Sequence, residues 1–105
     1  MVKYVNSAEL KELVETSNLP VFCDFWATWC GPCRMLAPVY DDVSDKYEGK
    51  AVFVKIDVDE NEDAAMEYAV TSIPNITCFR SGVAVDKNIG FVPQDVLELF
   101  IEKNL

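Results

Sequence analysis

Cys30 and Cys33 stand three residues apart and carry the clearest capacity for chemistry in this sequence. A Cys-x-x-Cys pair does one of two things: it supplies part of a metal site, or it opens and closes as a dithiol and a disulfide. The setting favours the second. Trp29-Cys30-Gly31-Pro32-Cys33 lies where an apolar strand, Val21 to Ala27, gives way to a helix. A helix start offers unpaired backbone N–H groups and the positive end of the helix dipole, and both favour a thiolate at Cys30. The thiolate is the nucleophile of disulfide exchange. Residues i and i+3 share a helix face about 5–6 Å apart, so Cys33 closes onto Cys30 with little backbone movement. Cys33 then sits a turn deeper and is expected to be the less exposed and less acidic thiol. Pro32 fixes φ in a first turn that needs no N–H there, and Gly31 leaves room for a substrate backbone.

Asp24 is the second candidate. It is embedded among Val21, Phe22, Cys23, Phe25 and Trp26, where a carboxylate would be buried. Burial raises a carboxyl pKa, which suits a general acid or base. Lys55, set between Val52-Phe53-Val54 and Ile56, is its expected charge partner. The plainer alternative is a structural ion pair with Lys55 reaching outward. Cys23 and Cys78 each fall in a strand and read as small buried hydrophobes, with redox regulation the alternative. Histidine is absent, which removes Ser–His–Asp and Cys–His nucleophiles and every His-containing metal site. A structural zinc would need Cys23 and Cys78 to complete four ligands, and neither shows knuckle spacing. No metal is expected.

The elements that position these residues alternate along the chain. Val2 to Val5 reads as a strand. Asn6 and Glu9 fit a capping box, followed by Leu10, Leu13 and Val14 on one helical face. Leu19-Pro20 stops that helix and opens the strand Val21 to Ala27. Cys30 to Tyr47 is a long helix with Met35, Leu36, Val39, Tyr40, Val43 and Tyr47 at helical spacing, kinked at Pro38. Ala51 to Asp57 is a buried strand and Asn61 to Ala69 a short helix. Ile76 to Phe79 and Val83 to Ile89 flank a Ser81-Gly82 hairpin turn. Pro93 opens a last helix that buries Val96, Leu97, Phe100 and Ile101. Helices between the first strands imply parallel pairing by right-handed crossovers, and the hairpin adds an antiparallel pair.

Length and charge narrow the function. The 105 residues suit one domain, and half of them are hydrophobic, enough for a core without disulfide staples. Four cysteines fall far short of a disulfide scaffold, so a cysteine pair here is chemical before it is structural. The net charge of −9, with no basic cluster, argues against nucleic acid and against an anionic membrane surface. No charged segment leads into an apolar run and a cleavage site, and no apolar run approaches a membrane span. A reducing, cytoplasmic setting and a monomer are the expectations. A dimer through the acidic faces or Cys78 stays open.

The stretch Phe25-Trp26-Ala27-Thr28-Trp29-Cys30-Gly31-Pro32-Cys33 resembles the active-site segment of the thioredoxin family almost letter for letter. The resemblance runs end to end through Asp24, Pro38, Lys55, Ile73-Pro74, Gly82 and Gly90. It implies an α/β thioredoxin fold over residues 1–105, a mixed sheet of about five strands sandwiched between about four helices. It implies a protein-disulfide reductase in which Cys30 attacks and Cys33, helped by Asp24, resolves. Lys55, Gly31 and Pro32 would tune the pair. The resemblance also implies a cis Pro74 facing the cysteines, with the Ile73 backbone free to pair with an extended client peptide. Trp29, Gly31, Pro32, Ile73, Pro74, Ile89 and Gly90 would then form an apolar docking patch, unless Trp29 and Ile89 are plain core. Disulfide-bearing proteins are the implied clients, and a thioredoxin reductase drawing on NADPH the implied partner, with no cofactor bound to this chain. Arg34, Ser72, Asn75 and Phe91 depart from the family's usual residues and bear on substrate preference. An oxidase or isomerase on the same fold is the main rival, yet Gly31-Pro32 resembles the reducing members. A fold that has lost turnover is a further rival, with no visible cause here.

Overall fold

The alternating strand and helix signals resolve into one five-stranded sheet in the computed structural model, which describes residues 1–105. The elements in chain order are β1 (Lys3–Tyr4), α1 (Ser7–Thr16), β2 (Val21–Trp26), α2 (Gly31–Lys46), β3 (Val52–Asp57), α3 (Glu62–Glu67), β4 (Asn75–Arg80), β5 (Val83–Ile89) and α4 (Gln94–Glu102). The sheet order is β1-β3-β2-β4-β5. β1, β3 and β2 run parallel through helical crossovers, whereas β4 and β5 join antiparallel. β2 therefore has a strand on each side and helices over both faces, which is why its run Val21 to Phe25 is buried throughout.

Side-chain alternation along the strands divides the core in two. Phe22, Phe53, Ile76 and Cys78 meet Leu36, Tyr40 and Val43 of α2 and Leu97, Phe100 and Ile101 of α4. On the other face Val21, Cys23, Phe25, Val54, Ile56 and Phe79 meet Leu10 and Val14 of α1 and Ala64 of α3. Asp24 falls on the α2 side by the same alternation. Tyr40 ties α2 to the sheet, its hydroxyl lying 2.8 Å from the Phe22 carbonyl and 2.9 Å from that of Val54. The capping box forms as expected: Asn6 accepts from the Glu9 N–H at 2.9 Å and its own N–H donates to the Glu9 carboxylate at 2.9 Å.

Several boundaries and faces differ from the sequence reading. α3 is shorter than Asn61 to Ala69, because Ala69 turns left-handed at φ 55°. The side chain of Asn61 holds Ser7 and the Asp57 carbonyl instead of capping α3. Met35 and Val96 are exposed, not core. Each precedes a buried neighbour, Leu36 or Leu97, by one residue, and about 100° of helix rotation carries it off the buried stripe. α2 runs on without interruption through Pro38, which sits on its exposed side. Ser81 and Gly82 both adopt positive φ, 52° and 84°, as a two-residue hairpin turn requires.

Candidate active site

β2 ends at Trp26, and the chain needs only Ala27-Thr28-Trp29 to reach the first turn of α2. Cys30 is the N-cap of that helix, and the Cys33 N–H points at its Sγ from 3.2 Å. The two sulfurs are joined as a disulfide, with Cα atoms 5.2 Å apart. Arg34 braces the approach, its guanidinium donating to the Thr28 carbonyl at 3.0 Å. Cys33 is the more buried of the two, as the helix geometry predicts, but the margin is small in this disulfide form: 2% against 5% exposed.

Two other segments lie at the site. Ile73-Pro74 is a cis bond, and the Ile73 carbonyl oxygen lies 3.9 Å from Cys30 Sγ. Ile89 pairs with Asn75 at the end of β5, and the Gly90 N–H donates to the Pro74 carbonyl at 2.8 Å. Trp29 is 66% exposed and Ile89 50%, which rules out both as core. Pro32 is exposed, and Gly31, Ile73 and Gly90 are half-buried. Pro74 departs from the expected patch: it is buried, and its carbonyl anchors Gly90. A groove of about 390 Å³ leads away from Trp29 and Ile73 between Val58, Asp59, Met66 and Val70. A larger cleft, about 620 Å³, is lined by Val5, Leu13 and Val52 among others and by none of the site residues.

Asp24 is fully buried, and neither carboxyl oxygen has a hydrogen-bond partner in the protein. Burial pushes its pKa from 3.8 up to about 7; the Lys55 cation pulls the other way and the Asp41 carboxylate adds to the rise. Lys55 is the charge partner of Asp24, as expected, and the alternative of a structural ion pair reaching outward is not what forms. The two form no ion pair, and Lys55 does not reach outward either, being 5% exposed. Its Nζ sits 4.9 Å from the Trp26 ring centre and 5.3 Å from that of Tyr4. Lys55 acts on Asp24 through space, from between two aromatic rings.

Sequence reasoning missed Asp59. Its carboxylate accepts the Trp29 indole N–H at 2.7 Å, and its own N–H is held by Asp57 at 2.9 Å. Asp59 is one of several acidic residues after β3, thirty positions from Trp29, and no local pattern marks it. Cys23 and Cys78 are buried on opposite faces of the sheet, so they meet neither each other nor the active pair. Burial pushes the Cys23 thiol well above its ordinary range and that of Cys78 up to about 11.

The site is a disulfide at a helix N-terminus beside a cis-proline loop, and the strand that leads into it carries a buried carboxyl group. The thioredoxin family model matches residues 1–103. The chain is 50% identical to a thioredoxin of Synechocystis sp. over 101 residues, 96% of this chain and 94% of that one. It is 51% identical to a thioredoxin of Staphylococcus aureus over 96% of this chain and 95% of that one. This chain belongs to the thioredoxin family. It is a thiol–disulfide oxidoreductase of α/β thioredoxin fold that reduces disulfides in client proteins through a reversible Cys30–Cys33 pair. Thioredoxin chemistry runs on protein sulfur alone and uses no bound cofactor. No helix is long and apolar enough to cross a membrane.

Proposed function

We propose that Cys30 is the attacking sulfur, Cys33 the resolving sulfur and Asp24 the proton acceptor between them. The observation that carries this is the Cys33 N–H directed at Cys30 Sγ from 3.2 Å at the N-cap of α2. In the reduced protein that N–H and the helix dipole stabilise negative charge on Cys30, not on Cys33. The Cys30 thiolate attacks one sulfur of a client disulfide; a Cys30–client S–S bond forms and the other client sulfur leaves as a thiolate. The Cys33 thiol gives its proton to the Asp24 carboxylate, and the resulting thiolate attacks Cys30 Sγ. The mixed disulfide breaks, the second client sulfur leaves, and two electrons have passed from the pair to the client. A pKa of about 7 suits Asp24 to take and return a proton near neutrality.

Trp29, Gly31, Pro32, Ile73, Ile89 and Gly90 form the surface on which a client segment rests. Pro74 serves from below, setting the direction of the Ile73 backbone. Lys55 modulates Asp24 without touching the client. A thioredoxin reductase using NADPH returns the pair to its dithiol. A reducing compartment, the cytoplasm, suits a pair whose work begins from the dithiol, in a chain that also keeps two free buried thiols. We take residues 1–105 as one domain acting as a monomer.

The test is trapping. Cys33→Ser should accumulate a stable Cys30–client mixed disulfide with a disulfide-bearing protein, and Cys30→Ser should trap none. The reverse pattern would reassign the two sulfurs.

A further inference from the structure

We propose that Tyr4 is a positioning residue for the reaction: its ring closes the sheet edge over Lys55 and keeps that ammonium group beside Asp24. Register makes this possible. Tyr4 pairs with Lys55 across β1 and β3, and Lys55 pairs with Asp24 across β3 and β2. The three side chains form one cross-strand row on the face covered by α2, with Trp26 two residues further along β2.

The members of the row differ in exposure. Asp24 is wholly buried and Lys55 nearly so, whereas Tyr4 at the edge strand is 65% exposed. A lysine this close to a sheet edge ordinarily turns its ammonium into water. Here the Tyr4 ring lies across that exit, with Nζ 5.3 Å from its centre. Trp26 supplies the second ring at 4.9 Å, and the two rings meet edge to face at 6.0 Å and 83°. Two aromatic faces hold the cation inside while no carboxylate binds it directly. β1 is only two residues long, so Tyr4 is half of that strand.

The groups facing Asp24 are few. β3 contributes Lys55, α2 contributes Asp41 and Tyr40 and, in the reduced protein on the proton-transfer reading above, the Cys33 thiol, and β4 presents Ile76, which carries no charge. The Tyr40 hydroxyl is engaged by two strand carbonyls. Cys23, next in sequence, points to the opposite face. Lys55 is thus the one cation acting on Asp24, and Asp41 opposes it. Remove the Tyr4 ring and the ammonium swings into water, where its pull on Asp24 is screened. Burial and Asp41 are left unopposed, and Asp24 keeps its proton to higher pH. The consequence for turnover rests on the acid–base reading of Asp24 above.

The experiment titrates Asp24 by carboxyl-carbon NMR in the reduced protein and follows turnover of a protein disulfide against pH. Wild type is compared with Tyr4→Phe and Tyr4→Thr; threonine keeps strand propensity without a ring. Tyr4→Thr should raise the Asp24 midpoint by about one pH unit, and Tyr4→Phe should leave it in place. In a Lys55→Met background Tyr4→Thr should add nothing. The proposal is overturned by an unmoved midpoint in Tyr4→Thr, by an equal shift in Tyr4→Phe, or by a shift that persists without Lys55. A midpoint that moves while the turnover profile stays fixed would support the clamp and remove Asp24 from proton transfer, so the two ideas fail separately.

Discussion

Asp24 shows how one residue couples stability to function. Its folded-state pKa of about 7 exceeds the ordinary 3.8, because burial penalises the carboxylate more than Lys55 relieves it. The folded protein therefore holds a proton that the unfolded chain has released between those two values. Stability is full below about pH 4 and falls as pH rises toward 7. The interval corresponds to about 4 kcal/mol, a large share of a small domain's stability. Asp24→Asn removes the ionisation. The variant should be more stable than wild type by up to about 4 kcal/mol at pH 8 and nearly equal at pH 4, read by urea unfolding. Equal stability at pH 8 would mean that Asp24 ionises without penalty. The same variant should slow turnover near neutrality, so the carboxyl group is kept at the expense of the fold.

At the scale of elements, the two helical layers do different work. α2 carries both sulfurs, and its N-terminus aims at Cys30, while Tyr40 fixes it to β2 and β3. α1 lies on the other face of the sheet, where it packs Leu10 and Val14 into the second core. Its capping box satisfies two backbone groups through Asn6 and Glu9. Asn6→Ala should destabilise the protein by about 1 kcal/mol, measured by urea unfolding. The Cys30–Cys33 reduction potential should not move, because the sheet separates α1 from the pair. A shift in potential would show that the two layers are coupled. α3 is short, yet the segment leading into it supplies Asp59, which orients the exposed Trp29 indole.

The whole molecule carries a net charge of −9, and the groove beside Trp29 includes Asp59 and Glu62. Such a field speeds encounter with basic clients and slows it with acidic ones, over a Debye length of about 10 Å at 0.1 M salt. The second-order rate of reducing a basic protein disulfide should fall several-fold as salt is raised from about 0.01 to 0.15 M, by stopped-flow fluorescence. The rate with an acidic client should rise over the same range. Rates indifferent to salt with both clients would confine recognition to the apolar patch around Ile73, Ile89 and Gly90.

Local pattern was enough to find the sulfurs and most of the elements. The spacing of Cys30 and Cys33, the continuous apolar strand before them and the helix of 3.6-residue period after them are all contiguous in sequence. The capping box, the Ser81-Gly82 turn and the burial of Asp24 were legible for the same reason. Periodicity places a residue on a face only to within about 100°, which is why the pattern assigns Val96 to the buried side of α4 although it is exposed. What only the tertiary structure decided depends on strand order and register. β2 lies between β3 and β4, and that order sets Tyr4, Lys55 and Asp24 in one row. Chain crossing between elements also brings Asp59 to Trp29 and turns the Pro74 carbonyl to Gly90. A sequence records which residues suit burial, strand or helix; which distant residues meet is settled by the packing of whole elements, where many weak contacts add up and no single residue carries the signal.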